Sequence, residues 1–432
     1  MSQPPHPDQR VPSPTAEFET IAALVFTFLV TRIVVAASMR LEAVSFVAND
    51  VGYYAHYLER MLGGETGLMV EYPVPAVWIL MGLYRLGGGW ETWTAVFVLF
   101  FLLLDAAVAA SLYRRGRAAG TLFWILFTAA QGPIIWYRFD LIPAALVAWA
   151  CLFLLSRPGV AGGLIGLGAA VKLWPALLIA PMLAPDPLRA GPGRRRLGGF
   201  VVVGLSLAAA SLVTSGWERS ASPVTWQSDR GLQIESVPAT PLMFLRTFTD
   251  DESWPLALSP YNAVEVVAGS PGVSAMLLVS TALTAGTVLL ALWLTWRLLR
   301  NVDRDDPRLV TGILLAVLCV VLALIVSNKT LSPQYMVWLG GPVAVLLVHV
   351  RSGALLRHVH VLAAALVSLG ALTQVTYPWG TYGILAMPLG SGPETAVLVL
   401  RNVGLVILTG YATVLAVRVS ARNAGRVAED FG

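Results

Sequence analysis

The chain holds only two lysines among its 29 basic side chains, Lys172 and Lys329, and each stands close to a proline at the end of a long apolar run. A cation near bilayer depth is costly, so it is kept where it snorkels, pairs with an anion, or lines a wet cavity. Two such cations on one side of a membrane fit a negatively charged head group; two lysines that simply snorkel explain the same pattern. Asp50 supplies the complementary chemistry. It lies in SFVANDVGYYAHYLER, followed by Tyr53, Tyr54, His56 and Tyr57. A carboxylate there can deprotonate an acceptor hydroxyl while the rings offer a sugar a stacking surface. Asn49-Asp50 is equally a common way to cap a helix.

Other polar groups fall near the same ends. Glu71, in EYPVP, either orients a substrate or complements the dipole of the helix that follows. Arg138 and Asp140, in YRFDLIP, are expected to pair with each other. Asn328, Lys329, Ser332, Gln334 and Tyr335 crowd the turn NKTLSPQYMVWLG, which offers donors and a cation to an anion or serves as an ordinary interfacial turn. Asp105, deep in an apolar run, is expected to pair across helices and carries no assigned chemistry. The acidic runs 250–252 and 303–306 read as solvated loop charge, and no metal or cofactor is expected: a glycine loop for nucleotide and a His cluster for zinc are both missing.

The elements that must position these groups are set by composition. With 56% apolar and 12% charged residues and a mean hydropathy of +0.71, the chain reads as an all-α polytopic membrane protein. The net charge of +4 does not indicate nucleic acid, because the arginines sit in short links between apolar runs. Cys151 and Cys319 lie in separate apolar segments, which points away from a disulfide.

Runs long enough for the bilayer occur near 20–38, 92–113, 119–136, 141–156, 197–215, 272–298, 308–327, 336–350, 359–376 and 396–418. The stretch 159–187 rises through a Gly-rich helix, breaks at Trp174-Pro175 and returns, so it is read as two short spans. That makes about twelve crossings in one transmembrane domain, 19–418, between cytoplasmic tails at 1–18 and 419–432. On this layout 18 Lys and Arg fall inside, 9 outside, and Arg32 and Arg401 are embedded, which places the polar turns on the extracytoplasmic face of a plasma membrane. Two outer loops are long: 39–91, with an amphipathic stretch and an interfacial one at 74–86, and 217–271, a Trp-containing cap (Trp217, Trp226, Trp254).

An acid in the first outer loop, interfacial helices, a broken hairpin in GLGAAVKLWPALLIAP and a late LSPQYMVWL turn resemble the GT-C superfamily of lipid-linked sugar transferases. The likeness is to the polyprenyl-phosphate-mannose-dependent mannosyltransferases of mycobacteria and relatives, over roughly residues 20–350. The resemblance implies a GT-C-like bundle in which Asp50 is the catalytic base, Lys172 and Lys329 contact the donor phosphate, and Gln334 and Tyr335 shape that pocket. Glu71, Tyr54, His56 and Arg138 are the further candidates for substrate contact. The implied partners are a polyprenyl-phosphate sugar, a glycolipid or glycan acceptor, and membrane lipids. An adjacent acidic pair after the first span, the mark of metal-using relatives, is missing, so a metal-independent inverting reaction is expected. A transporter of lipid or small solute is the competing class, although only one broken hairpin is found where a repeated pair would be diagnostic.

Overall fold

The computed structural model describes residues 14–115, 118–259 and 263–421; most of the two expected tails, 1–13 and 422–432, lies outside the described residues. Helices dominate. The first half runs α1 (Pro14–Ser38), one-turn α2 (Glu42–Ser45), α3 (Asn49–Leu62), α4 (Val74–Leu86), α5 (Trp90–Arg114), α6 (Ala118–Ala130), α7 (Leu141–Leu152), α8 (Pro158–Val171), one-turn α9 (Ile179–Met182) and α10 (Pro192–Asp229). A small insertion follows: β1 (Leu232–Gln233), α11 (Thr240–Phe248), β2 (Leu256–Leu258) and β3 (Val264–Val266). The second half contains α12 (Val273–Asn301), α13 (Leu309–Ser327), α14 (Gly340–His349), α15 (Gly353–Gln374), α16 (Thr381–Leu385) and α17 (Gly392–Val419).

The all-α polytopic reading holds. Among the described residues, seven helices are long and apolar enough to cross a membrane: α1, α5, α10, α12, α13, α15 with the turn that continues it, and α17. The expected figure of about twelve also counts shorter pieces such as α6, α7 and α8, which proline and glycine interrupt. Gly132-Pro133 follows α6 and Trp174-Pro175 follows α8, and a proline has no amide with which to extend a helix. α13 is buried on nearly every side, whereas α1, α10 and α12 turn Phe18, Leu205, Val213 and Leu278 outward, an apolar surface suited to lipid tails.

Glycine sets the tightest helix contact. A β-carbon at Gly162 would collide with the carbonyl oxygen of Arg196, and one at Gly199 with that of Gly159, while Gly166 faces Phe200. Contacts that advance together along both helices mean that α8 and α10 run parallel, their backbones brought close by small residues. The intervening chain must therefore double back, and it does so through a 3-10 turn at Trp174–Leu178 and α9, returning to where Arg196 donates to the carbonyls of Leu154 and Ala184. This is the hairpin expected over 159–187.

The embedded charges are paired. Arg32 of α1 meets Asp105 of α5 at 2.7 Å, with Trp124 of α6 donating to the other carboxylate oxygen at 2.8 Å. Arg401 of α17 meets Glu235 at 3.2 Å. Cys151 and Cys319 are buried and free. Other arginines gather at one end of the bundle: Arg297 and Arg308 bind carbonyls at the close of α17, and Arg194, Arg195 and Arg304 share a cleft. At the opposite end the insertion forms an ordered cap. Its three strands run antiparallel in the order β1-β3-β2, and Leu232, Met243, Trp254 and Val266 share a small core with Ile384 and Leu398. α4, expected along the interface, buries Ala76, Val77, Leu80 and Tyr84 and packs against α3, α5, α8 and α10.

Candidate active site

Beneath the cap lies a cavity of about 1130 Å³ whose walls come from α3, the 67–73 turn, the 138–140 link, the end of α8, residues 226–235 and the 332–335 turn. Seven of the anticipated residues line it: Asp50, Tyr54, Glu71, Arg138, Lys172, Gln334 and Tyr335. α3 explains the first of these. Asp50, Tyr53, Tyr54 and Tyr57 fall at i, i+3, i+4 and i+7, which is one face of a helix. His56 falls off that face and is exposed, edge-on to Tyr57 at 5.2 Å; it does not line the cavity, contrary to expectation.

Asp50 does not cap its helix, for no side chain caps α3. Its Oδ2 instead takes the Nε of Arg138 at 2.7 Å, with 30% of the Asp50 side chain exposed. Arg138 is spent on every side. Nη1 donates to the carbonyls of Val47 and Tyr137 at 2.9 and 3.0 Å, and Nη2 donates to the Tyr377 hydroxyl at 3.2 Å. Burial works against its charge, yet the Asp50 carboxylate, with Tyr377 and Tyr54 close by, holds the guanidinium above the usual arginine range.

The expected Arg138–Asp140 pair is therefore not formed. Asp140 has helical backbone angles as it enters α7, and residues two apart on a helical turn point in different directions. Its Oδ1 accepts from Lys172 Nζ at 2.7 Å and from Trp338 Nε1 at 2.9 Å. Lys172 reaches it because the chain turns extended at the end of α8 (φ −156°, ψ 126°). The ammonium also sits 4.5 Å from the Tyr335 ring centre, 5.3 Å from Phe139 and 5.4 Å from Trp338, a cation–π box closed by stacked Tyr335, Trp338 and Trp174.

Tyr54 is buried between Phe97, Phe139 and Tyr72, and burial pushes its hydroxyl far above the usual phenol range. Tyr53 donates to Glu71, so both remain proton-bearing or hydrogen-bonded groups of the wall. Lys329 departs from expectation. It is not among the lining residues; Nζ donates to the Ser228 carbonyl at 2.8 Å, and desolvation lowers its pKa below the ordinary lysine value. Trp226 lines the cavity, while Trp217 is 76% exposed and Trp254 belongs to the core of the cap.

Sequence reasoning missed Arg230, Glu235 and Tyr377, all of them lining residues. Glu235 is held by two neighbours on α17: Arg401 Nη1 donates to its carboxylate at 3.2 Å and Nη2 to its carbonyl at 2.5 Å, and Asn402 donates to the carbonyls of Glu235 and Ser236. Burial raises the Glu235 pKa against the pull of Arg401. An arginine inside an apolar span was the available signal, because such a charge demands a partner. Among the described residues no three His, Cys, Asp or Glu side chains converge as metal ligands would.

The fold and site together define a helical membrane bundle with a capped polar cavity lined by carboxylates, cations and aromatic rings. The family model of glycosyltransferase family 87 matches residues 70–327, more than half of the 432 residues, and the chain belongs to that family: it is a membrane glycosyltransferase. The match takes in Glu71, Arg138, Lys172 and Glu235 and does not reach Asp50 or the 328–340 turn. No curated protein and no solved structure matches the chain. The transporter reading gives way to transfer of a sugar.

Proposed function

We propose that the protein moves a hexose, mannose by its resemblance, from a polyprenyl-phosphate donor to a hydroxyl of a glycolipid or glycan. The observation that carries this reading is one cavity in which Asp50, Lys172, Arg138 and Tyr335 meet beneath an ordered cap. Asp50 acts as general base. Arg138 fixes one carboxylate oxygen, which aims the group at the cavity, and the acceptor proton passes to the carboxylate as its oxygen attacks the anomeric carbon. Phosphate is a good leaving group, so it needs cations and donors rather than an acid. Lys172 is the anticipated residue that meets it there, with Gln334 and Tyr335 beside it. Attack opposite the departing phosphate inverts the anomeric carbon, and the reading routes no step through a metal.

The proposed setting is the extracytoplasmic face of the plasma membrane, and the gathering of arginines at the end of the bundle away from the cavity supports it through the positive-inside rule. Membranes containing the protein, incubated with labelled polyprenyl-phosphate mannose and an extract of acceptor lipids, are expected to form a new labelled glycolipid. Formation from a nucleotide sugar, with none from the lipid-linked donor, would overturn the proposal.

A further inference from the structure

During the proposed transfer the charge on phosphate changes. The donor phosphate is a diester. As the bond between the anomeric carbon and the phosphate oxygen breaks, the electron pair stays on that oxygen, the acceptor oxygen bonds to the carbon, and its proton goes to the carboxylate. The departing monoester gains up to about one further negative charge. Stabilising it calls for positive charge that is not already neutralised.

Most cations around the cavity are neutralised. Arg138 faces Asp50 and Lys172 faces Asp140, each at 2.7 Å; Arg60 faces Glu65 at 2.6 Å. Arg230 differs. It lines the same cavity, and its Nε is buried without a hydrogen-bond partner among the described residues. Arg196 and Arg246 also have an unmet buried Nε, but of the three only Arg230 lines the cavity, where an acceptor arriving with a ligand would meet the donor. The nearby acids keep their charge but form no ion pair with Arg230 among the described residues: Asp229 accepts from the Ser228 hydroxyl at 3.0 Å, and Glu265 accepts from the Gly231 amide at 3.1 Å through one oxygen while the other has no partner. Lys329 lies within electrostatic reach of Arg230 and forms no ion pair among the described residues.

The fold holds Arg230 in place. It ends α10 with extended backbone (φ −66°, ψ 144°), one turn beyond Trp226 and Gln227, and the Gln233 amide ties the next strand to the Lys329 carbonyl at 3.0 Å. We infer that Arg230 binds the donor phosphate and takes up the charge that develops as the sugar leaves, with Lys329 adding positive field from behind. This deepens the polyprenyl-phosphate reading above and rests on it. A guanidinium presents two parallel N–H donors to phosphate oxygens, whereas Lys172 carries little net charge beside Asp140 and Arg138 is spent on Asp50 and its other neighbours.

The test uses the full chain in detergent, with short-chain polyprenyl monophosphate as the binding probe and polyprenyl-phosphate mannose as donor. Arg230→Gln is expected to weaken monophosphate binding about 10- to 100-fold, the range for one charge-assisted hydrogen bond. It should raise donor KM and lower kcat with acceptor KM unchanged, while Arg230→Lys recovers part of the loss. Thermal unfolding should not move, since Arg230 has no hydrogen bond at its buried Nε to lose among the described residues. Should Arg230→Gln bind monophosphate as tightly as the parent, the assignment is wrong while the donor reading stands. A parent that neither binds the probe nor uses the donor would bring down the donor reading, and this assignment with it.

Discussion

Removing the Lys172 ammonium separates holding the fold together from meeting the substrate. The Lys172–Asp140 contact is 2.7 Å long, with the two side chains 23% and 3% exposed. At that distance and an effective dielectric of about 20, the attraction is about 6 kcal/mol before desolvation is subtracted. Breaking such a pair from one side leaves a buried carboxylate uncompensated and costs about 3 kcal/mol net. Lys172→Met should therefore lower the unfolding midpoint in detergent by a few degrees and abolish transfer. The double variant Lys172→Met/Asp140→Asn keeps an acceptor for Trp338 and removes the stranded charge, so its midpoint should return close to the parent. Its transfer should stay at least about 10-fold down, because the donor contact is still missing. An unchanged midpoint in Lys172→Met would refute the buried pair, and recovery of transfer in the double variant would refute Lys172 as a donor contact.

Three further outcomes follow from the packing and the charges. Arg32→Met strands Asp105 and should cost about 3–5 kcal/mol, seen as loss of folded protein on size exclusion; Arg32→Met/Asp105→Leu should recover most of it, and equal loss in both variants would contradict the pairing. Gly162→Ala should destabilise by about 1–3 kcal/mol by forcing α8 from α10, whereas Gly198→Ala, with open space at its β-carbon, should not; equal unfolding midpoints would count against the parallel contact. Lys329 has a folded-state pKa below its ordinary 10.5, so folding its charged form is penalised at neutral pH. That penalty is relieved as pH rises through the folded value toward 10.5, so stability should climb over this alkaline window in the parent and climb less in Lys329→Met. Identical slopes would contradict the desolvated site.

Much of this arrangement was legible because membrane sequences spell out their elements by length and hydropathy. The run 308–327 is α13 nearly residue for residue, and the proline at 175 marked the return of the hairpin. Asp50, Lys172 and Tyr335 were legible as polar or charged groups next to helix ends. Their pairing was not, since it joins positions far apart in sequence: Asp50 with Arg138, Lys172 with Asp140, Glu235 with Arg401. The local Arg138–Asp140 pair looked natural only because closeness in sequence stood in for direction. His56 could have been set aside in advance by the helical period that groups Asp50 with Tyr53, Tyr54 and Tyr57. Arg230 gave no signal, because one more arginine in a polar loop is unremarkable until the cavity beside it is seen.

The proposed mechanism turns on the Asp50 carboxylate, and Asp50→Asn tests it most directly, being nearly isosteric and retaining an oxygen for Arg138. With labelled polyprenyl-phosphate mannose and acceptor, the variant should fold and bind polyprenyl monophosphate like the parent while its rate of transfer falls by about 100-fold or more. Transfer at close to the parent rate, with the same fold and binding, would contradict the assignment of Asp50 as the base.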